Sequence, residues 1–248
     1  MANKEEKVYF VTGASGGIGS TICRVIAKND PTAKILVHYH TNKKSAEVLN
    51  REIPNSEVFQ CDFRNKTEVE NLCSKILAKY PNVYGLVNCA GFVEDKDFAD
   101  RTWNDFEDVF KVNLFAPFLF SQKLGEKMFK NKSGRIVNIS STNGVHTTYP
   151  QSVDYDASKS GLNNLTRNCA IEFAPFVSVN AIMPGWVESA DMNTQLDKKF
   201  LESERKTILK RRFAKPTEIA EVVWFLLGDK GDYITGSILP VDGGIKIG

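Results

Sequence analysis

Short apolar segments rich in β-branched residues recur along this 248-residue chain and alternate with stretches of helical length. Seven of them are predicted strands: 8–11, 35–39, 57–61, 86–88, 135–140, 177–183 and 237–241. Near-continuous apolar strands are typical of a parallel sheet covered on both faces. The longer intervals at 67–80, 103–129 and 155–173 have room for crossover helices. This pattern predicts an α/β fold, a doubly wound sheet of about seven parallel strands with helices on both faces.

One segment, 186–213, interrupts the alternation, because it is long and charged and lacks strand character. Ligands of doubly wound sheets bind at the carboxyl ends of strands, so this segment is predicted to be a substrate lid. Proline and glycine mark element ends, but no linker or low-complexity stretch divides the chain. We therefore expect a single domain over residues 1–248.

Charge and composition exclude several classes of partner. The 32 basic and 30 acidic residues give a formal net charge of +2, which does not favour nucleic acid or an anionic membrane. No apolar stretch reaches membrane-spanning length, and the polar residues 1–7 do not resemble a signal peptide. Five scattered cysteines and three histidines without ligand spacing predict neither a disulfide framework nor a metal site. A small-molecule ligand and a reducing, cytoplasmic location fit these features.

A glycine-rich turn follows the first predicted strand and opens a helical stretch at 18–27. Glycine lets a backbone approach a pyrophosphate closely, and a helix N-terminus offers free N–H groups and a positive dipole end to its negative charge. The turn alone is also compatible with a simple strand-to-helix connection. Its place as the first such turn favours a dinucleotide in a Rossmann-type fold, and the predicted contacts are Gly13, Ser15, Gly16, Gly17, Ile18 and Gly19.

The end of the second predicted strand bears on the choice of cofactor. An acidic side chain there would hold the ribose hydroxyls of NAD and repel a 2′-phosphate, but no acid occurs before Glu47. Neutral and basic donors in this segment, with Lys43 beside them, favour NADP(H), while NAD(H) stays possible. In the alternative interpretation, Lys43 and Lys44 are the solvated start of a helix. The predicted contacts are Tyr39, His40, Thr41 and Asn42.

A Tyr-x-x-x-Lys pair at Tyr155 and Lys159 is the strongest candidate for acid–base chemistry. Residues four apart share one face of a helix, and a nearby ammonium stabilises a phenolate and lowers its pKa. The alternative pair, Tyr39 with Lys43, begins at the end of a strand and shares no such face. In isolation the first pair is also compatible with a surface helix. Its context favours function, because an apolar strand ends at Ser141, 14 residues earlier.

Taken together, these motifs resemble the short-chain dehydrogenase/reductase family over essentially the whole chain. The resemblance implies that an acidic residue after the third strand, Asp62, contacts the adenine together with Phe63. It implies further cofactor contacts at Asn88, Ala90 and Gly91, although Cys89 replaces the usual second asparagine, and at Pro184, Gly185, Val187 and Ser189 near the nicotinamide. The implied catalytic tetrad is Asn113, Ser141, Tyr155 and Lys159.

In the implied mechanism, the nicotinamide transfers a hydride to a carbonyl while Tyr155 donates a proton to its oxygen. Ser141 holds that oxygen, Lys159 lowers the pKa of Tyr155 and holds the nicotinamide ribose, and Asn113 fixes a water. The interval between Ser141 and Tyr155 is slightly longer than is usual in the family. The loop at 146–149 is therefore expected to shape an individual substrate pocket.

Within the family, the likeness is to 3-oxoacyl-acyl-carrier-protein reductases, with the ending 240–244 among the shared features. Basic residues of the lid are candidates to meet an acidic acyl carrier protein, although such a run is more often a solvated helix face. An NAD-dependent alcohol, sugar or steroid dehydrogenase is the alternative enzyme, and a non-catalytic cofactor-binding regulator is the alternative from another class. The resemblance also implies a homotetramer formed through helices at 103–129 and 155–173.

Overall fold

A computed structural model describes residues 6–189 and 196–245. In these ranges the chain forms a seven-stranded parallel sheet with the order β3-β2-β1-β4-β5-β6-β7. The strands are Val8–Val11 (β1), Lys34–Tyr39 (β2), Ser56–Gln60 (β3), Val83–Asn88 (β4), Gly134–Ile139 (β5), Val177–Pro184 (β6) and Ile238–Val241 (β7). This architecture confirms the predicted doubly wound α/β fold.

Eight α-helices lie in the same described ranges, and most of them cross from one strand to the next. They are Gly17–Asn29 (α1), Lys43–Glu52 (α2), Lys66–Lys79 (α3), Trp103–Phe110 (α4), Ala116–Lys130 (α5), Val153–Glu172 (α6), Lys198–Thr207 (α7) and Pro216–Leu227 (α8). None of the helices in these ranges combines the length and apolarity needed to span a bilayer.

The two faces of the sheet bury separate apolar layers, as the alternation of side chains along β1 illustrates. Tyr9 and Val11 point into a layer formed with α1, α2 and α8. Val8 and Phe10 point into the opposite layer, formed with α3, α5 and α6. Successive strand residues face opposite sides, so a strand covered on both faces is apolar at every position.

The strand order reverses between β1 and β4, which are direct neighbours in the sheet. At such a switch point the connections leave in opposite directions and open a crevice at the carboxyl ends of the strands. The turn after β1 and the segment after β4 border this crevice. The fold thus brings the turn that follows Val11 close to the segment that follows Asn88.

The predicted helical stretch at 103–129 is divided in the structure. α4 begins with a capping box between Thr102 and Asp105, and a π-helical turn over Lys111–Phe115 separates it from α5. Pro117, near the start of α5, has no amide hydrogen to donate to the carbonyl four residues earlier, which favours a widened turn at this point. Asn113 lies in the π turn and is buried.

The segment predicted as a lid contains α7 and a small apolar cluster of its own. Leu201, Ile208 and Phe213 are buried together, and Trp186 packs against them. A short bridge from Val187 to Ala214 returns the segment toward the sheet. Part of the predicted lid, 190–195, lies outside the described residues.

Candidate active site

A cavity of about 550 Å³ opens at the carboxyl ends of the strands around the switch point. Its walls contain many of the predicted cofactor contacts: Gly13, Ser15, Gly16, Gly17, Ile18, Gly19, His40, Thr41, Asn42, Asp62, Phe63, Ala90, Gly91, Tyr155, Val187 and Ser189. The cavity therefore brings together residues that lie far apart in the sequence, from Gly13 to Ser189.

The glycine turn is shaped so that only residues without a side chain fit at its two tightest points. Gly13 has φ +63°, and a Cβ atom there would lie 2.7 Å from the Cα of Ala90. A Cβ atom at Gly19 would lie 2.4 Å from the carbonyl oxygen of Gly13. Among the described residues, no side chain caps α1 at Gly16, so the first amides of this helix stay available to an anionic ligand. The cradle fits the pyrophosphate of a dinucleotide.

His38 holds this turn in place, a role that sequence analysis missed. The Gly13 amide N–H donates to His38 Nδ1 at 3.0 Å. Because Nδ1 accepts, the proton lies on Nε2, which donates to the carbonyl of Cys61 at 3.0 Å. The ring stacks on Phe63 with a centroid separation of 4.1 Å. One imidazole thus joins the ends of three strands, and its burial lowers the pKa of His38 to about 4.

The adenosine end of the cavity carries a small charged cluster. Arg64 Nε and Nη2 form a forked pair with the Asp62 carboxylate at 2.9–3.2 Å, and His40 Nε2 lies 3.4 Å from it. The hydrogen bond from Arg64 lowers the pKa of Asp62. Arg64 also lines the cavity and was missed from the sequence, although its position two residues after Asp62 was available as a signal.

Side chains at the end of β2 line the cavity, cap α2 or pack into the core. His40, Thr41 and Asn42 line the cavity, and the Asn42 side chain also caps α2 by accepting from the Ser45 amide at 3.1 Å. The Tyr39 side chain instead packs into the core beneath α1 and α2. Its contact with the cofactor stays a prediction. Tyr39 is the last residue of β2, and the pleat turns it inward.

The segment after β4 is held by hydrogen bonds to Thr12, the first residue after β1. The amides of Cys89 and Ala90 both donate to Thr12 Oγ1, at 2.9 and 3.0 Å. Asn88 does not extend into the cavity: its Nδ2 donates to Asn138 Oδ1 at 2.8 Å within the sheet. The pleat of β4 points this side chain into the interior, and the contact of Asn88 with the cofactor stays a prediction.

The acid–base candidates converge where β5 and α6 meet the cavity. Ser141 follows β5 and lies beside the Tyr155 hydroxyl. Lys159 lies one helical turn after Tyr155, with its Nζ 5.5 Å from the centre of the phenol ring. This ammonium donates to the carbonyl of Ile139 at 2.8 Å and is almost completely buried. The helical spacing of this pair and the strand-end position of the serine thus match the sequence prediction.

Burial dominates the protonation of both groups. It lowers the pKa of Lys159 to about 8 and raises the pKa of Tyr155, a rise that the neighbouring Ser141 side chain opposes. Burial is the largest influence on the Tyr155 pKa, and the lowering of this pKa by Lys159 stays a prediction. A Tyr155 hydroxyl that keeps its proton at neutral pH suits a proton donor to a developing alkoxide.

The Asn113 side chain forms hydrogen bonds with the Phe92 backbone and with Ser158, and not directly with Lys159. Its Oδ1 accepts the Phe92 amide at 2.8 Å, and its Nδ2 donates to the Phe92 carbonyl at 2.9 Å and to Ser158 Oγ at 3.0 Å. Ser158 Oγ in turn donates to the Tyr155 carbonyl at 2.7 Å. The π turn therefore connects the segment after β4 with the first turns of α6.

The segment after β6 borders the other end of the cavity. Pro184 ends the strand, and the Gly185 amide donates to the carbonyl of Val241, the last residue of β7, at 3.3 Å. Val187 and Ser189 follow and line the cavity wall.

Glu204 of α7 joins the predicted lid to the loop before α6. Its Oε2 accepts hydrogen bonds from the Tyr149 hydroxyl at 2.8 Å and from Trp186 Nε1 at 2.9 Å. Thr147 of the same loop is buried and donates to Asn143 Oδ1 at 2.8 Å. Hydrogen bonds thus connect two elements that were predicted separately, the loop at 146–149 and the lid.

The switch-point crevice and its glycine cradle define a dinucleotide-binding α/β protein. A family model described as enoyl-(acyl carrier protein) reductase matches residues 13–246. The chain belongs to the short-chain dehydrogenase/reductase family and is an oxidoreductase. This finding confirms the resemblance inferred from the motifs.

Individual relatives cover nearly the whole chain. The 3-oxoacyl-acyl-carrier-protein reductase FabG of Rickettsia felis is 34% identical over 246 residues, covering 99% of each chain. The acetoacetyl-CoA reductase of Allochromatium vinosum is 34% identical over 245 residues, covering 96% of this chain and 98% of the relative. A solved structure assigned as an NAD(P)-dependent gluconate 5-dehydrogenase from Beutenbergia cavernae, with NADP bound at low occupancy, has a TM-score of 0.89 and 30% identity, covering 96% of each chain.

Proposed function

We propose that this protein is an NADP(H)-dependent reductase that converts a carbonyl to an alcohol, with Tyr155 as the proton donor. The observation that carries the proposal is that Tyr155 lines the cavity that contains the glycine cradle, with Ser141 and Lys159 beside it. The bound nicotinamide supplies or accepts the hydride.

The protein side chains manage the oxygen and its proton. Tyr155 donates its hydroxyl proton to the carbonyl oxygen, and Ser141 holds the same oxygen by a hydrogen bond. Lys159 places a buried cation beside the phenol and stabilises the phenolate that remains after transfer. Asn113 fixes the Phe92 backbone and Ser158, and is proposed to hold a water that returns a proton through Lys159. The oxidation of an alcohol uses the same groups in reverse.

The cofactor proposal rests on the adenosine end of the cavity. His40, Thr41 and Asn42 present neutral or basic donors there, and Arg64 adds a guanidinium nearby. The nearest carboxylate, Asp62, is already paired with Arg64, so its charge is partly offset near a 2′-phosphate. The NADP found in the gluconate dehydrogenase structure supports the same preference.

A 3-oxoacyl thioester is the proposed substrate, supported by the names of the two curated relatives. The lid, proposed at about 186–213, supplies a basic surface for an acyl carrier protein, which is acidic. Its described basic residues are Lys198, Lys199, Arg205, Lys206, Lys210, Arg211 and Arg212, of which Arg212 is paired with Glu218. A carrier-bound substrate should show a KM that rises with salt, unlike the same acyl group on a short thiol.

We also propose a homotetramer in the cytoplasm. Trp103, Phe115 and Phe118 expose aromatic rings along α4, the π turn and α5, which is unusual for a solvated surface. The five cysteines are free, as a reducing compartment requires. Sedimentation of a monomer at micromolar concentration would contradict the tetramer.

The experiment that tests the function is turnover of NADPH and of NADH against a panel of carbonyls. The panel contains a 3-oxoacyl thioester, a keto sugar, a steroid ketone and a small diketone. We expect NADPH oxidation, fastest with the thioester. Faster turnover with NADH would favour the NAD-dependent alternative, and tight cofactor binding without turnover of any member would favour a regulator.

A further inference from the structure

Arg101 forms a buried ion pair directly beside Tyr155. Its Nη1 donates to Asp154 Oδ2 at 2.9 Å, and the two side chains are 3% and 0% exposed. Asp154 precedes Tyr155 in the first turn of α6, and its Oδ1 accepts the Tyr155 amide N–H at 2.8 Å. Burying two charges is costly, so stability alone is a weak explanation for such a pair.

The same guanidinium also binds backbone carbonyls of the segment after β4 and of the turn before α6. Its Nη2 donates to the carbonyls of Glu94 at 2.9 Å and Lys96 at 3.3 Å, and also to the carbonyl of Gln151. The Lys96 amide donates to that Gln151 carbonyl at 3.0 Å. Arg101 therefore fastens the segment 92–101, whose first residues line the cavity, to the turn that precedes α6.

Tyr155 is held from both sides by connections to this one segment. Its amide is bound by Asp154, which Arg101 holds. Its carbonyl accepts from Ser158, which Asn113 links to the Phe92 backbone. The first turn of α6 and the segment 92–101 therefore form one hydrogen-bonded unit around the proton donor.

We propose that Arg101 and Asp154 are positioning residues that fix Tyr155 relative to the cavity wall. They touch neither substrate nor cofactor, and act through the Tyr155 backbone and the segment 92–101. The inference rests on the proposed function, because it assigns Tyr155 the proton transfer. A displacement of about 1 Å at a reacting group costs on the order of 10²-fold in rate, so loosening this unit should be visible in kcat.

The test compares Arg101→Met, Asp154→Asn and the double variant R101M/D154N. Arg101→Met should lower kcat on the order of 10²-fold, leave the KM for NADPH near its wild-type value and speed amide exchange in the peptide containing Tyr155. Asp154→Asn retains an acceptor for the Tyr155 amide and should have a smaller effect. Arg24→Met, which breaks an exposed pair with Glu52, is the matched control and should change neither quantity.

The double variant separates positioning from a purely structural role. Removing both charges leaves no buried charge unpaired, so thermal stability should return toward wild type while kcat stays low. Recovery of kcat together with stability would overturn the proposal, as would unchanged kcat and unchanged exchange in Arg101→Met. If wild type turns over none of the carbonyls, the proposed function fails, and amide exchange at Tyr155 still decides whether Arg101 holds this turn.

Discussion

Acid should destabilise this fold through His38, the residue that joins the glycine turn to β2 and β3. In the folded chain its Nδ1 accepts the Gly13 amide and its Nε2 donates to Cys61, so the ring has no place for a second proton. Burial lowers the pKa of His38 from 6.5 to about 4. Between these values the unfolded chain binds the proton more strongly than the folded one, and stability falls as pH falls.

The size of the effect follows from the two pKa values. The full difference, from 6.5 to about 4, corresponds to about 3 kcal/mol of unfolding free energy. This contribution begins to fall as the pH drops through 6.5 and is completely lost below pH 4. Linkage gives a loss of about 2–3 kcal/mol between pH 7.5 and pH 4.5. The weakened element is the turn that forms the cofactor cradle.

Urea unfolding of wild type and of His38→Asn at both pH values isolates this contribution, because carboxylates titrate alike in the two proteins. The stability advantage of wild type over the variant should shrink by about 2–3 kcal/mol on acidification. An advantage that stays constant, or grows, as pH falls would refute the assigned tautomer and its role in the turn.

Two further substitutions test the cradle and the lid. Gly19→Ala should lower the unfolding free energy by about 1–3 kcal/mol in a urea titration, because its Cβ would lie 2.4 Å from the Gly13 carbonyl oxygen. Gly17→Ala is the control: its Cβ would have no atom within 4 Å, so the unfolding free energy should stay unchanged or rise slightly. Glu204→Ala removes the acceptor shared by Tyr149 and Trp186 and should raise the KM for the carbonyl substrate by about tenfold, equivalent to about 1.4 kcal/mol, with the NADPH dissociation constant unchanged. Equal losses in Gly19→Ala and Gly17→Ala, or a Glu204→Ala effect on NADPH binding alone, would contradict these assignments.

Much of the fold was predictable because its strands are covered on both faces. A parallel strand in this setting must be apolar throughout, and such runs are visible without knowing the partners. The bounds were less predictable: β4 begins at Val83 rather than at 86, because Gly85 pairs with Tyr9 across the sheet and lacks an apolar side chain. The π turn around Asn113 was hidden in a stretch that otherwise has helical composition.

The site was predictable where a motif fixes local geometry, and less so where it depends on the direction of a side chain. Tyr39 and Asn88 adjoin motif positions, but the pleat turns both inward. Arg101 meets Asp154 across 53 residues, and His38 meets Gly13 across 25. Contacts of this kind arise from the packing of the whole sheet and leave no periodic signal.

The most direct test of the central claim is the rate of hydride transfer in Tyr155→Phe, measured together with its affinity for NADPH. The substitution removes the hydroxyl and keeps the ring, so the cavity retains its shape. We predict an unchanged dissociation constant for NADPH and a transfer rate lower by roughly 10²–10⁴-fold, the usual contribution of a positioned proton donor. Near-normal transfer in this variant would contradict the assignment of Tyr155 and, with it, the proposed mechanism.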